Sequence, residues 1–218
     1  MNEQRRVAKY SGYSLILMAI IAGFSFGYAL PKIFEINQLE LVQKNLTENL
    51  ELYKFMLFGI LLIILLDIIV SFTLYYFFRT DSYQLSFASL ILRLIYTIIF
   101  GISIYFLYAN LEAGIDNSHI KRNYYIFQNI WNLGLIIFGV HLLVLGILIK
   151  KHESIPKFIW LLTMFAGFSY IVLHSLKIIQ TDSKDIIEQV NNFLALPMAL
   201  GELVLAIWLI AKGGKISK

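Results

Sequence analysis

The chain has 218 residues, of which 59% are hydrophobic and 15% are charged, and its formal net charge is +4 at pH 7. Soluble chains carry about 25% charged residues, so this composition excludes an ordinary soluble domain and indicates a membrane protein. The chain has no cysteine, which excludes disulfides, thiolate nucleophiles and sulfur-ligated metals.

The first apolar run, residues 15–30, follows the basic stretch 5–9. A cleaved signal peptide has the same arrangement, and Gly27 and Ala29 offer small residues for a cleavage site. We favour a retained first span because five further apolar runs follow it. Pro31 is a natural end for its helix.

Six apolar runs are long enough to cross a hydrocarbon core of about 30 Å, which takes about 20 residues of helix. Lipid cannot satisfy a backbone N–H or C=O, and these continuous runs lack the alternation of barrel strands, so they are predicted to be helices. The predicted fold is all-α and polytopic, a single six-helix membrane domain over residues 1–218. The spans are predicted near residues 14–30, 55–78, 85–108, 124–149, 158–179 and 191–211.

The distribution of basic residues predicts the orientation of these spans. If the N-terminus is inside, Lys and Arg concentrate in the inner tails and in the short loop 150–157, whereas the outer segments carry most of the acidic residues. This is the positive-inside pattern, and it explains the basic residues better than nucleic-acid binding does. We predict an N-in, C-in multi-pass protein of a cytoplasmic (inner) membrane, with the lipid bilayer and no nucleic acid as partner.

The long outer connection, residues 32–54, has apolar residues at every third or fourth position with polar residues between them. This spacing predicts an amphipathic helix. We favour a helix on the outer membrane surface; the alternatives are an extension of the second span and a lid over the outer mouth of the bundle.

Small residues recur on the first span at every fourth position, at Ala19, Gly23 and Gly27. This spacing lets another helix approach closely. The partner is either a helix of the same chain, which is the more common arrangement, or a second copy in a homo-oligomer.

Apart from Lys177 at the outer end of the fifth span, five residues of the types Asp, Glu, Arg and His fall within the predicted spans: Asp67, Arg93, His141, His174 and Glu202. A charged residue at the middle of a membrane costs about 2.5–3.5 kcal/mol on insertion scales, so such residues usually face the protein interior and find partners or water. Counted from the cytoplasmic ends at about 1.5 Å per residue, all except His174 lie about 12–17 Å deep.

We therefore predict an inward polar cluster of Arg93, Glu202, His141 and Asp67. Arg93 is expected to pair with one carboxylate, which leaves the other for His141 or for a protonated state. His174 lies near the outer end of its span and is expected to be an interfacial or hydrogen-bonded histidine rather than a ligand.

Two interpretations of this cluster are balanced: a buried ion pair that fixes helix register, and the lining of a hydrated pocket. In the second, the pocket binds a small or lipidic anionic ligand through Arg93 or relays protons through His141. The first corresponds to a structural or interaction subunit, or a sensor, without a ligand. An intramembrane enzyme acting on lipid is a third and less favoured hypothesis, because no nucleophile or metal motif is present.

Neither a metal nor a cofactor is predicted. His141 and His174 lie on different spans at different depths, and no His pair at helical spacing occurs on one span. The sequence also has no Gly-rich phosphate loop.

Residues 139–170 and 201–213 carry a Gly-x-His step, a short basic loop that ends in Pro, a Gly and a Tyr in the fifth span, and Gly-Glu followed by Trp-Leu in the last. In these features the chain resembles a bacterial membrane family catalogued as domain of unknown function 4386. The loop 151–154 and Trp160 depart from the family pattern. The resemblance implies a six-span fold, implies no activity, and favours His141 and Glu202 over His174. The matching residues are Gly139, His141, Gly146, Pro156, Gly167, Tyr170, Gly201, Glu202, Trp208 and Leu209, and Arg93 is similar to the family's third-span arginine.

Overall fold

Six long helices make up most of the protein. The structure, a computed structural model, describes residues 2–35, 41–112, 116–179 and 184–215. Six of its helical segments are long and apolar enough to cross a membrane. The predicted all-α, six-span fold is therefore confirmed. The helices are α1 (Glu3–Phe24), α2 (Leu30–Ile33), α3 (Val42–Glu48), α4 (Leu50–Phe78), α5 (Tyr83–Tyr108), α6 (Asn117–Lys151), α7 (Lys157–Ile179) and α8 (Lys184–Ala211).

The helices extend past the predicted spans at most of their ends, because hydropathy marks the apolar part of a helix and not its full length. The first span shows this most clearly, since α1 continues through a π-helical turn, Ser25–Ala29, into α2. Pro31, which has no backbone N–H to donate, lies just after the π-helical turn, and the helix ends at Ile33 and not before the proline.

Side-chain caps fix the starts of two spans. Asn2 Oδ1 accepts a hydrogen bond from the backbone N–H of Arg5 at the start of α1 (2.8 Å), and Asp116 Oδ1 accepts one from His119 at the start of α6 (2.9 Å). Each cap satisfies an N–H that has no partner within the helix. The bond from His119 also holds the pKa of Asp116 well below its usual range.

The amphipathic helix between the first two spans is present but shorter than predicted. It is α3, and Asn49 (φ −117°, ψ 30°) separates it from α4. Its apolar residues Val42 and Leu46 are buried, and α3 contacts α2, α4 and α6. Residues 36–40 of the predicted helix lie outside the described residues. Protein contacts therefore hold α3 across the ends of three helices, where we had favoured a helix on the membrane surface.

The six spans form a ring. In chain order, α1, α4, α5, α6, α7 and α8 each contact the next helix, and α8 closes the ring on α1. We call the end of the ring that holds residues 2–5, 79–82, 152–156 and 212–215 the terminal end, and the opposite end, with α3, the far end. At the terminal end, His152 Nδ1 lies 2.9 Å from Asp81 Oδ2 and joins two loops. The prediction that the terminal end faces the cytoplasm stays a prediction. Labelling single introduced cysteines from one side of the membrane would test it.

Glycines permit the closest helix contacts. A Cβ added to Gly139 on α6 would lie 2.7 Å from the carbonyl oxygen of Gly167 on α7, and one added to Gly12 on α1 would lie 2.7 Å from the carbonyl oxygen of Ala206 on α8. The predicted stripe on α1 differs, because nothing in the described chain lies within 4 Å of a Cβ added to Gly23 or Gly27. The close neighbour that we favoured within the chain is absent at these two positions, and a homo-oligomer stays a prediction.

The Arg5 side chain joins α1 to the C-terminal end of α8 by hydrogen bonds. Its Nη1 donates to the carbonyl oxygens of Leu209 (2.9 Å) and Gly213 (2.8 Å), and its Nη2 donates to that of Ile210. The carbonyl oxygen of Leu209 also accepts a hydrogen bond from the backbone N–H of Gly213 (3.2 Å). The negative end of the helix dipole, at the end of α8, favours a cation.

We expect Arg5→Ala to lower the free energy of unfolding by about 1–3 kcal/mol, the usual cost of losing charged hydrogen bonds. The measurement is thermal and denaturant unfolding in detergent. Arg6→Ala is the matched control, because Arg6 is exposed. Equal effects of the two substitutions would contradict a role for Arg5 as a cap of α8.

Candidate functional site

Arg93 on α5 joins two carboxylates from other helices inside the ring. Its Nε donates to Asp67 Oδ1 on α4 (2.9 Å), and its Nη2 lies 2.7 Å from the same oxygen. On the other side, Nη1 donates to Glu202 Oε1 on α8 (2.5 Å) and Nη2 to Glu202 Oε2 (3.4 Å). Arg93 and Asp67 are 0% and 1% exposed, and Glu202 is 18% exposed, so the pairing is shielded from solvent.

His141 on α6 completes the group on the side away from Asp67. Its Nε2 lies 3.3 Å from Arg93 Nη1, and its Nδ1 lies 2.9 Å from the carbonyl oxygen of Ser89. A guanidinium can only donate, so Nε2 accepts and the proton is on Nδ1, which donates to Ser89. His141 is therefore a neutral imidazole that contacts Arg93. We expected Arg93 to pair with one carboxylate, but it pairs with both Asp67 and Glu202.

The structure thus brings all four predicted cluster residues together. Each lies nine to eleven residues from the terminal end of its helix, which is about 14–17 Å along the axis. The cluster draws on α4, α5, α6 and α8, so the pair between Arg93 and Glu202 crosses the ring from α5 to α8. We call Arg93, Asp67, Glu202 and His141 the polar cluster.

A cavity of about 820 Å³ lies inside the ring beside the polar cluster. All six spans contribute to its walls, and Asp67, Arg93 and Glu202 line it. Among the described residues that line it, His141 does not appear. Aromatic rings form much of the wall next to the cluster: Phe26, Tyr96, Phe100, Trp131, Phe138 and Tyr170.

Polar residues line the part of the cavity nearer the far end. They include His174, whose Nδ1 lies 2.7 Å from Asn132 Oδ1 and whose ring stacks on Tyr170 at 5.8 Å. His174 is thus the hydrogen-bonded histidine of the prediction, and it lies in the cavity wall. Lys177, one turn farther along α7, places a cation in the same region.

Two buried polar atoms in the cavity walls have no hydrogen-bond partner within the described chain. They are Oδ2 of Asp67 and Nε1 of Trp131. A buried polar group without a partner costs about 1–3 kcal/mol. Both atoms belong to residues that line the cavity.

Sequence reasoning missed the aromatic wall. Tyr96 lies one turn after Arg93, and His174 lies one turn after Tyr170, so helical spacing places each pair on one face. That spacing could have extended the cluster along α5 and α7. Trp131 and Lys177 carried no comparable signal. A single tryptophan inside a span is usually a packed core side chain, and a lysine near the end of a span is usually an interfacial anchor.

A metal site has no support in the part of the chain that the structure describes. No group of three His, Asp or Glu side chains there could hold an ion. Arg93 already donates to Oδ1 of Asp67 and to both carboxylate oxygens of Glu202.

A ring of six apolar helices around a polar cluster defines the chain as a multi-pass membrane protein. It belongs to the family described as domain of unknown function (DUF4386), whose model matches residues 10–213. An uncharacterized protein of Archaeoglobus fulgidus is 31% identical over 170 residues, which are 78% of this chain and 91% of that protein. No solved structure matches the chain. The resemblance seen in the sequence is thereby confirmed, and location in a bacterial cytoplasmic membrane stays a prediction.

Proposed function

We propose that the protein binds a small or lipidic ligand in the cavity, with a cationic group of the ligand against Asp67 and Glu202. The proposal rests on Asp67, which lines the cavity and whose buried Oδ2 has no hydrogen-bond partner among the described residues. A ligand ammonium would donate to this oxygen and remove the cost of leaving it unpaired.

The charges of the polar cluster support a positively charged ligand. One guanidinium against two carboxylates leaves an excess negative charge, and every nitrogen of Arg93 already has an acceptor. An anion would have to displace Asp67 or Glu202 from Arg93, and at low dielectric it would be repelled by the displaced carboxylate. An anionic ligand was one of the hypotheses from the sequence, but the geometry favours a ligand of positive charge.

The aromatic side chains in the cavity wall also support a positively charged ligand. Tyrosine, phenylalanine and tryptophan rings attract a cation over their faces, and the attraction is strongest where water is excluded. Arg93 already lies over Phe138, 5.4 Å from the ring centroid, while Tyr96, Tyr170 and Trp131 also line the cavity. A proton relay through His141 gains no such support, because His141 is held between Ser89 and Arg93.

The test uses two probes of the same shape and opposite charge, tetraphenylphosphonium and tetraphenylborate. We expect the purified protein in detergent to bind the phosphonium and not the borate, as measured by equilibrium dialysis. Glu202→Gln removes one of the two negative charges, so we expect it to weaken phosphonium binding about tenfold, which corresponds to about 1.4 kcal/mol.

Glu153→Gln is the control, because Glu153 is an exposed carboxylate in a loop at the terminal end. Its phosphonium affinity should equal that of the unmodified protein. Tighter binding of the borate would overturn the sign of the proposed ligand. Binding of neither probe by a protein that stays folded would favour the alternative, a structural or interaction subunit whose cluster holds the helices together.

A further inference from the structure

The ring is closed tightly at one end of the contact between α1 and α8. Near the terminal end, a Cβ on Gly12 would meet Ile210 at 2.6 Å and the carbonyl oxygen of Ala206 at 2.7 Å, and Arg5 bonds the last turn of α8. Gly23 lies eleven residues, about 16 Å, farther along α1. It is exposed, and the described chain places nothing within 4 Å of a Cβ added there.

The same stretch of α8 is also weakly held. Between residues 185 and 200 only Leu194 is buried, whereas Gly201, Leu205 and Ala206 beyond it are all buried. Pro197 falls at this change; it has no N–H to donate, so α8 lacks a helical hydrogen bond there. Ala199 on α8 is exposed and lines the cavity. Gly23 on the neighbouring helix α1 is also exposed and also lines the cavity.

Residues that are exposed and also line a cavity mark its openings. Gly23 and Ala199 mark an apolar opening between two membrane-spanning helices, which faces the lipid around the ring. Asn129 marks another, in the part of the wall that contains Gln128, Asn132 and Lys177. The cavity therefore has an apolar opening at mid-span and a polar region nearer the far end.

We infer that the ligand is a cationic amphiphile that enters from the bilayer between α1 and α8. The inference rests on the proposed function, because the polar cluster receives the charged group. The hydrocarbon chain lies between Gly23 and Ala199, where small residues leave room for it, and continues into the lipid. Asp67, which lines the same cavity and whose Oδ2 has no partner among the described residues, gives the charged group a place to bind.

The experiment measures how butyltrimethylammonium and dodecyltrimethylammonium displace tetraphenylphosphonium from the protein in lipid nanodiscs. Gly23→Leu fills the opening. Gly27→Leu is the matched control, since Gly27 lies one turn away on the same helix, is exposed with nothing within 4 Å, and does not appear among the described residues that line the cavity. We expect the ratio of dodecyl to butyl affinity to fall about tenfold in Gly23→Leu relative to Gly27→Leu, the effect of excluding a few methylenes.

An equal ratio in the two variants would overturn the inference while leaving the proposed function intact. Failure of the butyl compound to displace phosphonium from the unmodified protein would count against the proposed function itself. The mass of the protein in the nanodisc is measured in parallel. A dimer that both leucine variants dissociate would assign the stripe to contact between two copies, and would also overturn the inference.

Discussion

Replacing Arg93 by methionine is expected to lower the free energy of unfolding by about 3–5 kcal/mol, the usual cost of removing one partner from a buried ion pair. Arg93 is fully buried and holds both Asp67 and Glu202. Without it, two carboxylates face each other at low dielectric, and His141 loses the donor to its Nε2. The measurement is unfolding in detergent, followed by circular dichroism.

Two further variants separate charge from packing. Arg122→Met removes an exposed arginine on α6 and should change stability by less than about 0.5 kcal/mol. The triple variant Asp67→Asn, Arg93→Met, Glu202→Gln removes all three charges and should recover part of the lost stability, because the two carboxylates no longer repel each other. Recovery is not complete, since the buried amide groups lose their partner Arg93. A triple variant as unstable as Arg93→Met would show that Arg93 acts through its packing and not through its charge.

The sequence could predict the six helices because lipid leaves a spanning backbone few choices. It could not predict where they end, since a helix continues past its apolar part as long as its caps and contacts allow. The break at Asn49 illustrates this limit: the amphipathic pattern runs through it, but the chain turns there to place α3 across the bundle.

The depth of the site was also predictable, because a fixed rise per residue places Asp67, Arg93, His141 and Glu202 in one layer. Their pairing was not, since it depends on which way each helix turns its face. The charge of the proposed ligand was the hardest property to predict from the sequence. A buried arginine in a sequence suggests an anion site, and only the structure shows that the nitrogens of Arg93 already have acceptors. The sequence likewise could not show that Gly23 lines a cavity while Gly139 touches a helix.

Gly167→Ala is expected to lower the free energy of unfolding by about 1–3 kcal/mol, the usual cost of forcing an extra methyl group into a packed contact. The new Cβ would lie 2.7 Å from the carbonyl oxygen of Gly139, 3.0 Å from the backbone N of Leu143 and 3.1 Å from Cβ of Leu142. Two of these atoms are backbone atoms of α6, so helices α6 and α7 must move apart to admit the methyl group.

Gly101→Ala on α5 is the matched control, because nothing in the described chain lies within 4 Å of a Cβ added there. Alanine favours a helix over glycine by about 1 kcal/mol, so this control should be neutral or slightly stabilising. The same propensity acts at Gly167, where the clash must exceed it for the variant to lose stability. Equal melting temperatures for the two variants would therefore show that α6 and α7 can separate freely, and that glycine at the crossing does not determine how closely they pack.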